Sequence, residues 1–363
     1  MKILIDARCV RAGRTGVGYA TEEMMRALDG AGASVHEISA LTLDPQEWNP
    51  ALTRIALRKV TVDYESHPAG EIYENLKLTR LMQRERIDVF WGPAFLVPWV
   101  PTKAKKVVTV HDVTMFSHPK AYPSRFARYM RQAVRQSVRA ADAVICPSRH
   151  AAEELERLLP RKARKVCVVP QAASPFFSPG SGEEELPAGL DRPYLLAIGA
   201  GDPRKNPEGM YAVLEQMNQL APGRFQFVVV GGKGGGPKSP GVIRLDRVDR
   251  AILRRLYRNA ALYVSASVAE GFGLPLLEAM ACGCPVAASD IPAHREVGGT
   301  AAIYFNPEQP VEAARKIGDL VGDDAQLGRF REEGFRQSAR FHWEKSADLL
   351  MEVFESLGME PGA

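Results

Sequence analysis

No stretch of this 363-residue chain approaches the ~20 consecutive apolar residues that span a bilayer, which argues for a protein that is soluble or attached to a membrane surface. No C-x-x-C pair occurs among the five cysteines, Cys9, Cys146, Cys167, Cys282 and Cys284, so neither a zinc site nor a disulfide framework is indicated. Reduced, mostly buried thiols in a cytoplasmic protein account for them simply. No Asp-x-Asp triplet is present, so an oxygen-ligand metal site for a diphosphate is not evident. The first glycine-rich turn, Gly13-Arg14-Thr15-Gly16-Val17-Gly18, has the spacing G-x-x-G-x-G and not the dinucleotide pattern G-x-G-x-x-G. Low-complexity tracts are missing, and the opening Met1-Lys2-Ile3-Leu4-Ile5-Asp6 reads as a short strand ending in charge, not as a signal peptide.

What is present is ordinary globular material, 45% hydrophobic and 25% charged, in a length comfortable for two domains. The net charge of +4 is unevenly spread: residues 1–175 hold 27 Lys and Arg against 18 Asp and Glu, the rest 20 against 25. A basic first half suits an anionic surface, such as a membrane leaflet or a lipid-linked phosphate, and equally describes an Arg-rich solvated surface.

Short apolar runs alternate with longer amphipathic stretches. Strands are expected at 3–5, 35–38, 60–62, 88–91, 107–110, 143–146 and 166–169, then at 194–198, 225–230, 242–245, 262–265, 286–288 and 302–305. Several are unbroken Val/Ile/Leu runs, as in strands buried on both faces of a parallel sheet, with helical patterns as right-handed crossovers between them. The Pro- and Gly-rich segment 170–193, with its acidic triplet Glu183 to Glu185, is linker chemistry. The expected architecture is α/β with two doubly wound domains facing a central cleft, ligands binding outside the carboxyl ends of the strands.

Four segments carry chemistry. In the first, a strand ends near Ser265, Pro275 suits an opening helical turn, and Gly283 suits its end. Glu270 then lies in the approach loop and Glu278 in the first turn, while Gly271 and Gly273 allow backbone amides close to a ligand. A carboxylate there can accept from ribose or sugar hydroxyls while the helix N-terminus holds phosphate oxygens; the same residues also describe a helix merely capped by two acids. In the second, Ile198-Gly199-Ala200-Gly201-Asp202-Pro203-Arg204-Lys205-Asn206-Pro207 sets two adjacent cations at a strand–helix turn, suited to a diphosphate or to plain surface. In the third, His111 follows the strand at 107–110 and points toward the expected cleft, unless local backbone satisfies it. The fourth is the glycine turn itself, where Gly16 and Gly18 open a helix. The run Gly231 to Ser239 is no P-loop, because Pro237 breaks the required G-K-[ST]. A helix over 124–141 places Arg125, Arg128, Arg131, Arg135 and Arg139 on one face, suited to anionic lipid or to solvent.

The stretch Glu270-Gly-Phe-Gly-Leu-Pro-Leu-Leu-Glu278-Ala-Met-Ala-Cys-Gly-Cys-Pro-Val-Ala-Ala-Ser289 resembles the E-x7-E signature of glycosyltransferase family 4, retaining enzymes of GT-B fold. The resemblance implies that Glu270 contacts the donor sugar and Glu278 the nucleotide ribose, with Gly271, Phe272, Gly273 and Leu274 forming the binding turn between them. It makes Lys205 the phosphate-binding lysine and puts His111 near the sugar and the diphosphate, Asp112 orienting the loop. Many members carry an Arg where this chain has Ala200, so Arg204 or the other domain must supply that charge. Gly16 and Gly18 match the glycine loop that closes over the donor, and a Gly-Gly turn at 231–232, with Val248 nearby, would line the base pocket. Residues 1–172 with the terminal helix 343–363, which crosses back, would form the acceptor-side domain, and 173–342 the nucleotide-sugar domain. The Pro203-Arg204-Lys205-Asn206 loop resembles bacterial mannosyl- or rhamnosyl-type surface-polysaccharide enzymes. The expected co-substrate is a nucleotide-sugar, a GDP-sugar (mannose first) before a UDP-sugar. The acceptor is a glycan or lipid-linked glycan, with no further cofactor, no metal and no nucleic acid. The expected location is the cytoplasm, with peripheral contact at the inner face of the cytoplasmic membrane. A noncatalytic GT-B scaffold or regulator of glycan assembly and a Rossmann oxidoreductase are the rival readings; the second lacks its dinucleotide turn.

Overall fold

A computed structural model of the chain describes residues 1–13, 15–30, 36–48, 51–63, 70, 73–160, 165–180, 186–187, 189–190, 193–232 and 241–358. The polypeptide divides into two compact units, Met1–Ser117 with Pro123–Gln171 and His342–Ala363, and His118–Tyr122 with Ala172–Phe341. The short segment 118–122 thus groups with the second unit.

In the first unit the apolar runs form β1 (Lys2–Asp6), β2 (Glu37–Thr42), β3 (Ala56–Lys59), β4 (Val89–Gly92), β5 (Lys105–Thr109), β6 (Ala143–Cys146) and β7 (Lys165–Val168). They make one parallel sheet in the order β3-β2-β1-β4-β5-β6-β7. Helices α1 (Gly16–Gly30), α2 (Leu78–Glu85), α3 (Thr114–Ser117), α4 (Ser124–Ala140) and α5 (Arg149–Leu158) connect and cover it. The central strands are buried on both faces, Ile3, Leu4 and Ile5 without any exposed surface, which is why they read as unbroken apolar runs. The third strand lies earlier than the run 60–62 suggests. Val60 still donates its N–H to Thr42 O at 2.8 Å, but β2 ends at Thr42, so the residues beyond have no partner strand. The Val62 carbonyl instead accepts from Arg8 Nη1 at 3.1 Å. Arg8 is itself fully buried and clamped by Asp6 and Glu74. Residue 35, expected to open the second strand, lies outside the described residues.

The second unit repeats the plan. Strands β8 (Tyr194–Ile198), β9 (Gln226–Val230), β10 (Val242–Leu245), β11 (Leu262–Ser265), β12 (Val286–Ser289) and β13 (Ala302–Phe305) pair in parallel in the order β10-β9-β8-β11-β12-β13. Between and after them lie α6 (Pro207–Leu220), α7 (Arg250–Asn259), α8 (Leu274–Ala281), α9 (Pro292–Gly298), α10 (Pro310–Val321) and α11 (Asp324–Ser338). Alternate residues of one strand enter opposite cores: Tyr194 and Leu196 pack on the face of α7 and α8, Leu195 and Ala197 on that of α6 and α10. The last helix, α12 (Trp343–Gly358), returns to the first unit, where it packs on α1, β4 and β5. Ser346 Oγ fixes it by donating to Pro170 O at 2.6 Å. Among the described residues no helix is long and apolar enough to cross a membrane.

In each sheet the chain first builds outward from a central strand and then resumes on its other side. The loops after β1 and β4, and after β8 and β11, therefore diverge at the carboxyl edge, leaving the crevice in which doubly wound sheets hold ligands.

Candidate functional site

In the second unit both loops at that crevice carry chemistry. After β8, Gly199 adopts φ +89°, which turns the chain sharply into the 3-10 turn Pro203–Lys205. A Cβ on Gly199 would lie 2.9 Å from Lys205 Cγ, so the missing side chain is what lets the lysine stem fold back over the turn. Asn206, left-handed at φ 52°, then caps α6 by accepting from Gly209 N at 3.0 Å. After β11 the chain runs through Ser267 and Glu270 to Gly273, at φ +109°, where α8 begins. Pro275 sits in its first turn, and Gly283, at φ +80°, follows its end. The backbone ties the two loops together, Val268 N–H donating to Arg204 O at 2.8 Å.

Their side chains meet. Lys205 Nζ donates to Glu270 Oε1 at 2.5 Å, and Ser267 Oγ donates to the same oxygen at 2.8 Å. Both charged side chains are less than one-fifth exposed. Burial alone would raise the Glu270 pKa, but the Lys205 ammonium and the hydrogen bonds from Lys205 and Ser267 hold it below the ordinary value, so the carboxylate stays ionised. Glu278 lies one turn into α8 rather than in its first turn, because the helix starts only at Leu274. Its Oε2 accepts from Tyr257 OH at 3.2 Å. Gly271, Phe272 and Gly273 are buried and Leu274 is half-buried; the Phe272 ring packs edge-on against Phe341 at 5.7 Å. The Gly231-Gly232 turn after β9 lies against the β8 loop, close enough that a Cβ at Gly201 would sit 3.1 Å from Gly232 Cα. The rest of that run, 233–240, lies outside the described residues, and Val248 packs at the edge of the core beneath α7 and α8.

Arg204 points elsewhere. Its guanidinium is bound to Asp202 in its own loop, Nη2 to Oδ2 at 2.6 Å, and stacks over the Tyr122 ring at 5.5 Å. In this arrangement its charge is neutralised locally by Asp202.

In the first unit His111 follows β5, half-buried, with both ring nitrogens engaged. Nε2 donates to Pro93 O at 2.7 Å, which makes Nδ1 the acceptor for the Gln171 amide at 3.0 Å. Burial lowers the ring's pKa, so it is neutral near pH 7. Asp112 accepts from Thr114 N at 2.9 Å and from Thr114 Oγ1 at 2.5 Å, holding the start of α3. Gly16 begins α1 fully open: a Cβ there would meet nothing within 4 Å, so nothing in the unit's own packing demands glycine. Gly18, in the first turn, is buried. On α4, Arg125, Arg128, Arg135 and Arg139 are exposed and Arg131 is half-buried, beside the exposed Phe126. Among the described residues no group of three His, Cys, Asp or Glu is placed to hold a metal ion.

Ser267, Asp202, Tyr257, Gln171 and His294 gave no sequence signal, because each matters only through a partner far along the chain or across a turn.

Family models match the two units in turn. The one described as Glycosyltransferase Family 4 covers residues 14–174, and the one described as Glycosyl transferases group 1 covers residues 192–323. The chain belongs to glycosyltransferase family 4. The O-antigen chain mannosyltransferase B of Escherichia coli is 28% identical over 286 residues, 74% of each chain. A D-inositol 3-phosphate glycosyltransferase of Xylanimonas cellulosilytica is 28% identical over 245 residues, 60% of this chain and 58% of its own. Among solved structures, the sucrose-phosphate synthase of Thermosynechococcus elongatus superposes with a TM-score of 0.75 at 20% identity, over 98% of this glycosyltransferase and 99% of that chain. The Anabaena protein HepE, solved with UDP and glucose, does so with a TM-score of 0.70 at 17% identity, over 98% and 100%. These likenesses give the glycosyltransferase its GT-B fold, with a parallel-sheet α/β domain in each half.

Proposed function

We propose that this glycosyltransferase moves a hexosyl group, mannose first, from a nucleoside-diphosphate sugar to a glycan or lipid-linked acceptor during surface-polysaccharide assembly of the O-antigen type. The observation that carries the reading is the Lys205–Glu270 pair at the carboxyl edge of β8 and β11, beside the start of α8. Each partner stands in for what the donor brings. The ammonium holds a carboxylate where a diphosphate oxygen would bind, and the carboxylate holds an N–H donor where a sugar hydroxyl would bind. Donor binding exchanges this internal pair for two external ones. Lys205 and the amides at the start of α8 then oppose the negative charge that develops on the leaving diphosphate. Glu278 takes the ribose, and Gly16, Gly18 and His111 keep the donor contacts that the family resemblance implies. His111 does so as a neutral ring, once Gln171 releases Nδ1. Arg204 serves the diphosphate only by leaving Asp202.

The similarity to an O-antigen mannosyltransferase supports mannose and thus a GDP-sugar; the Anabaena structure with UDP and glucose keeps a UDP-sugar as the alternative. Retention at the anomeric carbon follows the family resemblance. The exposed arginines of α4 support peripheral contact with the inner face of the cytoplasmic membrane. Thermal-shift screening with GDP-mannose, UDP-glucose and dTDP-rhamnose, followed by a transfer and donor-hydrolysis assay, tests the whole proposal. Stabilisation by GDP-mannose and turnover with retained anomeric configuration are expected. Binding without any turnover would favour a noncatalytic scaffold, and no binding at all would overturn the proposal.

A further inference from the structure

His294 lies in α9, after β12, with no exposed surface. Its Nδ1 is 3.1 Å from Ser289 Oγ and 3.1 Å from Ser289 O. The Ser289 hydroxyl has one proton, and it donates that proton to Ser267 O at 2.5 Å. Towards His294, then, both Ser289 oxygens act only as acceptors. The hydrogen must be on Nδ1, and in the neutral ring Nε2 is a bare lone pair. Burial keeps the ring neutral by lowering its pKa; the nearby Lys205 charge acts in the same sense and Glu270 against it. Among the described residues nothing donates to this buried Nε2. A buried acceptor without a donor is rare in native proteins and calls for a specific account.

The geometry gives one. The ring edge that carries the orphan nitrogen lies against Gly273, the residue before α8: a Cβ there would lie 3.4 Å from Cδ2 and 3.9 Å from Nε2. Ser267 meets both groups, its carbonyl accepting from Ser289 and its hydroxyl donating to Glu270 Oε1, so the ring's own partner and the paired carboxylate are held by the same residue. We propose that His294 Nε2, closed off beneath the Gly273 turn in the ligand-free protein, accepts a hydrogen bond from a hydroxyl of the donor's hexosyl group once donor binding shifts that turn, as a specificity-determining contact alongside Glu270. This rests on the nucleotide-sugar reading above. A neutral acceptor and an anionic acceptor side by side suit a polyhydroxyl ring, which offers donors in pairs, and do not suit a phosphate, which offers none at neutral pH.

Calorimetry on the full chain with GDP, UDP, GDP-mannose and UDP-glucose separates the possibilities. His294→Phe should weaken the productive nucleotide-sugar about tenfold and leave the free nucleoside diphosphate unchanged, while His294→Gln, which keeps an acceptor near the Nε2 position, regains part of the loss. In the wild type, one monodeoxy form of the sugar should show a similar loss, and His294→Phe should show no further loss with it. This second measurement needs no variant that might fold poorly. Equal weakening of nucleotide and nucleotide-sugar, or a wild type indifferent to every deoxy position, would overturn the role of His294 while leaving the function intact. A wild-type chain that binds no nucleotide-sugar would overturn the function itself.

Discussion

Removing the Lys205 ammonium tests the site most directly, because it separates a stability effect from a catalytic one. In the ligand-free protein Lys205 and Glu270 are paired at 2.5 Å with little solvent access. Lys205→Ala leaves a buried carboxylate with Ser267 as its remaining hydrogen-bond donor, at a cost of about 1–3 kcal/mol. For a unit of this size, each kcal/mol lowers the melting temperature by about 2–4 °C. Adding Glu270→Gln removes the stranded charge, so the double variant should recover most of that loss. Catalysis behaves differently. If Lys205 opposes the charge on the leaving diphosphate, its loss should cost ~10²–10³ in kcat, and the double variant should not recover it. Thermal melts, with kcat and KM measured at saturating donor, give both numbers. A folded Lys205→Ala protein with near-normal kcat would falsify the assignment. Recovery of kcat in the double variant would show that only the stranded carboxylate was harmful.

The two glycine turns should respond differently. Gly199→Ala forces a side chain into left-handed backbone and against Lys205, and should cost about 1–2 kcal/mol along with most of the transfer activity. Gly16→Ala has open space around it, so its stability should stay within about 0.5 kcal/mol of wild type while donor KM rises; the reverse pattern would undo both arguments. Burial lowers the His111 pKa below the ordinary 6.5, so the unfolded chain binds the proton first and stability should fall as pH drops below about 6.5. Glu270, with its pKa depressed, contributes stability above its ordinary value of 4.5 and loses it only as pH falls through its lower folded value, so it adds no slope between about 5.5 and 7.5; buried Glu74, pushed up to about 7, does titrate there and adds a slope of opposite sign that the His111 variant leaves in place. His111→Gln should flatten the melting-temperature slope across that range, and an unchanged slope would exclude His111 as a contributor. Reversing Arg125, Arg128 and Arg135 to Glu should weaken sedimentation with anionic vesicles at least ~10²-fold, given about 1 kcal/mol per basic residue near such a surface; unchanged binding would remove α4 from any membrane contact.

Most of the fold was legible in the sequence because doubly wound sheets bury their strands on both faces. The resulting apolar runs place eleven of the thirteen strands within two residues of their observed bounds, and a twelfth, 35–38, stops four residues short of the end of β2. The exception, 60–62, shows the limit: β-branched residues mark strand propensity, but where β2 ended decided where β3 could pair. The glycines at 271, 273 and 283, Pro275 and the two glutamates were legible too, since turn and helix-start chemistry is written in adjacent residues.

The sequence by itself therefore determined the α/β architecture, the family and the loops that carry the site. Which charges those loops bring together was decided only by tertiary structure. Lys205 and Glu270 stand 65 residues apart and meet because β8 and β11 are neighbours across the point where the sheet's strand order reverses. Arg204, next to Lys205 in the chain, turns the other way and is neutralised by Asp202. His294 looked like any lone histidine until folding buried it with one nitrogen satisfied and the other bare. Backbone periodicity is a local property of the chain, whereas the pairing of buried charges and hydrogen bonds depends on strand order, which no local pattern encodes.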